Sequence, residues 1–430
     1  MALDPEELKK QRAARKAQQA QQKRKLLVRL GIAAAVLLLC GILIFVLLPK
    51  GKTPAPPVAE STAPAEESST VGATETPEET KAPEEPFTVI HLAIGGDVNI
   101  TDKVVRSGGS SYDFTETFMD VAHLLAEADL AAVNFEGNLT GAPYGSTGSA
   151  PQELAQALSD AGVDLVQLAN SYSINQGLSG LISTINAVRA AGMEPMGVYE
   201  DQQAYKEGEG NTVRTVQGVK IAFVAFTKGM DGMALPAGSE NCVNLLYNDY
   251  ESTYQSVNSA KIKEVLGAVA QENPDITVAM VHWGSEYNDT ISSSQENIAQ
   301  LMLDNGVDAI VGTHPHYVHK MVFDEKEGTF IAYSIGDFLS DGNKAGAQYS
   351  VLLDLEITKN NRNGNVQLTG YSYTPIYSYA EAWSDSLRIL RIHEAMAAYE
   401  DTFIGCVSAE VYEDMIKSLE RIESRTSGNG

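Results

Sequence analysis

Three of the chain's seven histidines fall in one short stretch, residues 309–320 (Ala-Ile-Val-Gly-Thr-His-Pro-His-Tyr-Val-His-Lys). A fourth, His282, stands upstream in Val281-His-Trp-Gly-Ser-Glu-Tyr287. His314 and His316 flank Pro315, whose ring fixes its own φ and stiffens the loop. Two imidazoles held that close suit a metal ion or an anionic oxygen. Other ligand-type residues occur in similar settings: Asp97 in Gly95-Gly96-Asp97, Asn134 and Glu136 in Asn134-Phe-Glu-Gly137, Asn170 in Ala169-Asn-Ser-Tyr172, and Glu286 beside His282. Carboxylate, amide oxygen and imidazole together are what a divalent metal pair recruits, and such a pair orients a phosphate or carboxylate and lowers the pKa of bound water. Asp and Asn also cap helices and close turns, so any one of these blocks alone is equally compatible with a structural role.

What would bring such distant residues together is a sheet. Each polar block follows a short apolar, β-branched run (residues 88–94, 130–133, 163–168, 276–281 and 309–311) that reads as a buried strand. Helical patterns lie between them at 114–128, 150–161, 178–191 (stopped by Gly192), 256–271 and 293–305 (stopped by Gly306). Further strands are expected at 193–198, 219–226 and 329–335, and a hairpin at 349–357 and 365–373. Strands alternating with helices predict an α/β domain with at least some parallel pairing. Ligands in open α/β sheets bind at the carboxyl ends of the strands, which is where all these polar residues stand. The last fifty residues hold helix candidates at 385–399 and 408–423, then a polar tail.

The charge of −25 conceals two opposite parts. Residues 1–52 carry eleven Lys/Arg and three Asp/Glu, whereas the remainder carries twenty and fifty-three. So acidic a body argues against nucleic acid as a partner, since phosphate backbones require Lys and Arg. Three scattered cysteines do not make a disulfide framework or a thiolate zinc site. Residues 30–48 are uncharged and mostly Leu, Ile, Val and Ala; as a helix they would span about 28 Å, enough to cross a bilayer and contact its lipid. Nine basic residues precede this run, which places the N-terminus in the cytoplasm and the rest outside the cell membrane. The 49–86 segment is rich in proline and glutamate and reads as an extended linker. The expected organisation is therefore a basic cytoplasmic arm (1–29), a single transmembrane helix (30–48), the linker (49–86), a folded domain (87–378) and C-terminal helices with a frayed tail (379–430).

With these blocks in hand, the chain resembles the bacterial CapA family of capsule and poly-gamma-glutamate synthesis proteins, whose domain is similar to the calcineurin-like metallophosphatases. The resemblance rests on Gly96-Asp97, Asn134-x-Glu136, His282-Trp283-Gly284-x-Glu286-Tyr287, Gly312-x-His314-Pro315-His316 and Ser334-x-Gly336-Asp337-Phe338. It implies a metallophosphatase-type α/β sandwich of mixed sheets flanked by helices, an anionic capsule polymer as ligand, and other capsule-synthesis membrane proteins as partners. A divalent metal (Mn, Fe, Zn or Mg) would be held by Asp97, Glu136, Asn170, His282, His314 and His316. His282 and His314 are the candidates for catalysis; Asn134, Tyr172, Trp283, Glu286 and Tyr287 are those for ligand binding. One block departs from the family pattern Leu-Ala-Asn-Asn-His-x-x-Asp-x-Gly: Ser171, Tyr172 and Asn175 replace Asn, His and Asp. In the metallophosphatase-like scheme that Asn binds metal and that His protonates the leaving group. Serine is a poorer ligand, and a phenol with an ordinary pKa near 10 is a weak acid at neutral pH. Hydrolysis or amide ligation by the same residues is the alternative activity, and hydrolysis is expected to be impaired.

Overall fold

The computed structural model describes residues 86–208, 210–381, 384–403 and 407–427. The basic arm, the 30–48 span and the linker up to residue 85 lie outside the described residues. Among the described residues, no helix is long and apolar enough to cross a membrane.

Fourteen strands are described: β1 (Phe87–Asn99), β2 (Leu130–Glu136), β3 (Leu165–Gln167), β4 (Glu194–Met196), β5 (Thr212–Val216), β6 (Val219–Thr227), β7 (Ile276–His282), β8 (Ala309–Thr313), β9 (Met321–Asp324), β10 (Thr329–Ala332), β11 (Asp337–Leu339), β12 (Tyr349–Asn360), β13 (Val366–Ala380) and β14 (Leu387–Arg391). They make two mixed sheets. The first runs β14-β13-β12-β1-β2-β3-β4, with β11 paired to the end of β1; the second runs β5-β6-β7-β8-β10-β9. In the first, β1, β2 and β3 are parallel; in the second, β6, β7 and β8 are.

The period-two alternation of β6 shows how the layers form. Ile221, Phe223 and Ala225 join one core with residues of the first sheet, such as Leu92, Ile94 and Val133. Ala222, Val224 and Phe226 point the other way, into a second core with Ile262, Val265 and Leu266 of helix Ser259–Ala270 and Ile298 and Met302 of helix Ser293–Leu303. Phe226 is fully buried there, and truncating such a residue to alanine costs about 3–5 kcal/mol. The first sheet's outer helices, Gln152–Asp160 and Gly177–Ala190, bury Leu154, Leu158, Leu181 and Ile185 in the first core. The result is an α/β sandwich of two mixed sheets with helices outside both.

Two expected elements differ. The single helix expected at 114–128 is two short ones, Thr115–Phe118 and Ala122–Glu127; Asp120 lies between them and ion-pairs with Arg388 on β14. The helix expected at 385–399 begins instead as a strand. Leu387 and Ile389 alternate inward on β14, which pairs with β13, and only Ile392–Glu400 is helical. The sheet thus runs through the boundary expected between 378 and 379, because β13 extends to Ala380.

One close approach sets up the site. The β1–β2 ladder is irregular between Ile94 and Asp97. At Gly96 a Cβ would lie 1.7 Å from the Gly336 carbonyl oxygen, so only glycine lets the chain before β11 come this near. The Asp97 N–H donates to that same oxygen at 3.2 Å. This contact puts Asp337 in register with Asp97.

Candidate functional site

The carboxyl ends of β1, β2, β7 and β8 deliver Asp97, Glu136, His282 and the His314–His316 turn to one buried cluster. Asn134 and Glu136 are two residues apart on β2 and share a face. Asn134 ties the acids together: its Nδ2 donates to Asp97 Oδ1 at 2.7 Å and to Glu136 Oε1 at 3.3 Å. After β8 the chain turns with His314 at φ 91° and His316 at φ 59°. That backbone is uncommon for residues with a Cβ and costs of order 1 kcal/mol each. Specific bonds hold it: the His314 N–H donates to Asp97 Oδ2 at 3.0 Å, and His316 Nδ1 lies 2.7 Å from Asp337 Oδ1.

Two sets of ligand atoms result. Glu136, His282 and His314 offer one atom each, all within 4.8 Å of one another, and Asp97, Glu136 and His316 do the same. Glu136 belongs to both. The surroundings push the two histidine environments apart. Burial holds His282 and His314 well below the ordinary imidazole range, with the Lys228 ammonium adding to the effect. Burial opposes charge on His316 as well, but Asp337, Glu136 and Asp97 outweigh it and raise that pKa well above normal. Asp97 is pushed up to about 7, by burial first and then by Asp337, against the pull of His316. Burial and the neighbouring Asp97 carry Glu136 the same way.

Hydrogen bonds decide the tautomers. His282 Nε2 lies 3.2 Å from both the Ser171 N–H and the Ser171 Oγ, while Nδ1 faces Glu136 Oε1 at 3.3 Å. A backbone N–H can only donate, so Nε2 accepts it and the neutral ring carries its proton on Nδ1, facing the acid cluster. The donor set fits divalent cations: neutral imidazole, a shared carboxylate, and a buried His314 Nε2 that has no hydrogen-bond partner.

The structure does not bring every expected residue into this role. Asn170 is spent as a brace: its Nδ2 donates to Asn134 Oδ1 and the Phe135 carbonyl, and its Oδ1 accepts the Tyr172 N–H. The atom beside His282 belongs to Ser171. Asn134 is buried among the acids rather than facing a ligand. Trp283 is not at the site at all. Being next to His282 it points to the opposite face, fully buried in the second core, where its Nε1 donates to the Tyr333 carbonyl at 2.9 Å. Tyr287 stacks on His316, ring centroids 4.9 Å apart, and is 38% exposed, so it forms part of the rim. Glu286 is exposed beside it. Tyr172 is half-buried, and burial, with Glu136 adding, pushes its phenol up to about 12.

Three residues went unassigned in the sequence. Asp337 binds His316. Asn99, two residues past Asp97, places its Nδ2 3.4 Å from His316 Nδ1. Lys228 follows β6 as His282 ends β7; its N–H donates to the His282 carbonyl and its Nζ to the Gly284 carbonyl at 3.1 Å. Among the described residues no carboxylate oxygen comes within ion-pairing distance of that ammonium. The strand-end rule that singled out His282 applies equally to Lys228.

The chain is 29% identical over 266 residues to the Capsule biosynthesis protein CapA of Bacillus anthracis, covering 60% of this chain and 61% of that one. It is 26% identical over 282 residues to the PGA biosynthesis protein CapA of Bacillus subtilis strain 168, covering 63% and 69%. The chain thus spans about three fifths of the B. anthracis relative's length. Among solved structures it is similar to a putative 5'-nucleotidase from Staphylococcus aureus in complex with alpha-ketoglutarate (TM-score 0.45, 13% identity, 77% of this chain and 58% of that one). It is also similar to a novel phosphatase of Mycoplasma pneumoniae (TM-score 0.41, 15% identity, 67% and 94%). Residues 91–342, more than half of the chain, match the family described as bacterial capsule synthesis protein PGA_cap, and the chain belongs to that family.

Proposed function

We propose that the chain is a CapA-like protein acting in the synthesis, export or anchoring of an anionic capsule polymer such as poly-γ-glutamate. In this reading residues 30–48 anchor it in the cell membrane with the folded domain outside, beside other capsule-synthesis membrane proteins. The family match and the names of the Bacillus relatives support the polymer; the apolar run after a basic arm supports the anchor. The observation that carries a metal-dependent role is the sharing of Glu136 by two buried ligand sets. Glu136, His282 and His314 would hold one divalent cation (Mn, Fe, Zn or Mg), and Asp97, Glu136 and His316 a second. Bound there, the cations would supply Lewis-acid charge for anionic oxygens.

The chain's own residues suit gripping an anion better than cleaving an ester. Lys228 presents a half-buried ammonium without an ion partner among the described residues. That is costly to keep unless an anion arrives. Tyr172, with its phenol near 12, keeps its proton at neutral pH and can donate a hydrogen bond, but it is a poor acid for a leaving group. A metallophosphatase-type scaffold retained for polymer binding accounts for both features. The alternative, a metal-dependent hydrolase or amide ligase, would have to find its acid elsewhere.

Elemental analysis and polymer binding on the full detergent-solubilised chain test this together. About two equivalents of divalent metal, with polymer binding abolished by chelation, is the expected result. Undiminished polymer binding by metal-free protein would overturn the metal role. For the catalytic alternative, turnover of a chromogenic phosphodiester should be negligible in the native chain and rise in Tyr172→His. Fast and equal turnover in both would instead make the chain a hydrolase.

A further inference from the structure

A second cavity, of about 450 Å³, opens beside the site and is lined by Asp289, Ile291, Val318, His319, Lys320 and Arg425. It is reached from the metal-type cluster through touching rings. Tyr287 stacks on His316 and meets Tyr317 edge-on at 6.0 Å, and the Arg425 guanidinium lies 5.2 Å over the Tyr317 ring. The lining is unusual for so acidic a chain. Two cations, Lys320 and Arg425, face one carboxylate, Asp289. Arg425 Nη2 pairs with Asp289 Oδ2 at 2.7 Å, but Asp289 is 60% exposed, so water screens that bond and an incoming carboxylate can compete for it.

His319 gives the cavity a second kind of chemistry. It is 97% buried, being only 3% exposed. Its Nε2 lies 2.8 Å from the Asn288 carbonyl oxygen. A carbonyl can only accept, so Nε2 carries the proton and Nδ1 carries a lone pair. Burial, with Arg425 adding to it, holds this imidazole below its usual range and hence neutral. Nδ1 has no partner. A buried acceptor left unpaired carries a desolvation penalty that a ligand N–H would relieve.

We propose that this cavity is a second subsite, binding one unit of an amide-linked polyacid: the amide N–H at His319 Nδ1, the carboxylate between Lys320 and Arg425. It rests on the reading above that the chain handles poly-γ-glutamate, in which every unit pairs an amide with a free carboxylate. The cavity and the Glu136 cluster would then hold successive parts of one strand, and affinity would grow with strand length through the added contacts.

The test uses the full chain and two labelled γ-linked glutamate probes, a dimer and an oligomer of about ten units. Lys320→Ala and His319→Phe should each weaken the oligomer about 5- to 10-fold, while dimer affinity and metal content stay as in the native chain. Polyacrylate, which has carboxylates but no amide, should respond to Lys320→Ala and not to His319→Phe. Oligomer affinity unchanged in both variants would overturn the subsite while leaving the polymer reading intact. Failure of the native chain to bind either glutamate probe would remove the polymer reading itself. Equal loss of polyacrylate in His319→Phe would overturn the amide contact. Since His319 is buried, the variants' melting temperatures are compared, and Lys320→Ala, on an exposed residue, carries the test if His319→Phe does not fold.

Discussion

The two halves of the Glu136 cluster are built from the same kinds of residue and reach opposite electrostatic states. On the carboxylate side, Asp97, Asp337 and Glu136 surround His316 and raise its pKa; His316 Nδ1 is 2.7 Å from Asp337 and 3.5 Å from Asp97. That half compensates its own charge. On the imidazole side, His282 and His314 are neutral, their ring centroids 4.4 Å apart and their planes tilted by 55°, and His314 Nε2 is left without a partner. The imidazoles of this half need lose no proton to take a cation, whereas His316 and Asp97 in the other must; the shared Glu136 behaves alike in both. Whether a histidine is a ligand in waiting or an ion-pair partner is decided by the acids packed around it, not by its motif.

The largest expected effect comes from the residue the halves share. Glu136→Gln should lower affinity for both cations by more than about 100-fold, since even residues that only support a ligand are worth 10- to 100-fold. The metal-free fold should lose little, because burial and the neighbouring Asp97 already favour the uncharged form of Glu136. Calorimetric titration with manganese and a thermal melt of the stripped protein read these separately; retention of one tight cation would show that Glu136 serves only one half.

Proton release should distinguish the halves next. Asp97, near 7, and the protonated His316 must both lose protons to bind metal, while His282 and His314 need not. From pH 8 to pH 6 the carboxylate half should therefore weaken by roughly tenfold or more relative to the imidazole half. Titrations in buffers of different ionisation enthalpy count the protons directly, and equal counts would erase the contrast. In metal-free protein, Asp97 is raised from 3.8 to about 7. Its contribution to stability is therefore present at low pH and lost as pH rises through about 7; His316, also raised, acts in the same direction. His282 and His314, both lowered, act oppositely, losing stability as pH falls through the ordinary imidazole value. Asp337→Asn should flatten the alkaline loss and bring His316 back toward the imidazole half.

Ser171→Ala should weaken the imidazole half alone, by about tenfold, because it removes the hydroxyl beside His282 Nε2 that, with the Ser171 N–H, fixes the orientation of that ring. A loss shared equally by both cations would mean that Ser171 merely supports the loop.

These distinctions were unevenly legible in the sequence. His282, His314, His316, Asp97 and Glu136 could be located because each ends an apolar strand, and strand ends of parallel sheets converge. Asp337 also follows a strand, but its place beside His316 depends on β11 pairing with β1 across more than two hundred residues, which no local pattern encodes. Trp283 was misplaced through its motif, although the alternation of β7 already put it opposite His282. The 385–399 segment could have been recognised as starting with a strand from the alternation of Leu387 and Ile389; helix-forming residues further on masked it. Asn170 and Ser171 show a finer limit: which of two adjacent polar side chains faces His282 is set by the turn's hydrogen bonds, not by residue type.

Trp283 supplies the smallest expected effect on the site and the sharpest check on its position. Its indole lies against Gly312, where a Cβ would come within 2.5 Å of Nε1, and its N–H satisfies the Tyr333 carbonyl. Trp283→Phe removes that donor and leaves a small void beneath the ends of β7 and β8. Stability should drop by about 1–3 kcal/mol, from the unpaired carbonyl and the lost packing. Cation affinity should change little: the imidazole half by no more than about twofold, through slight loosening of the strands carrying His282 and His314, and the carboxylate half not at all. Denaturant unfolding and calorimetry on the same variant measure the two quantities independently. A large loss of cation or polymer affinity with normal stability would put the indole in contact with ligand, and the division of β7 into a site face and a core face would fail.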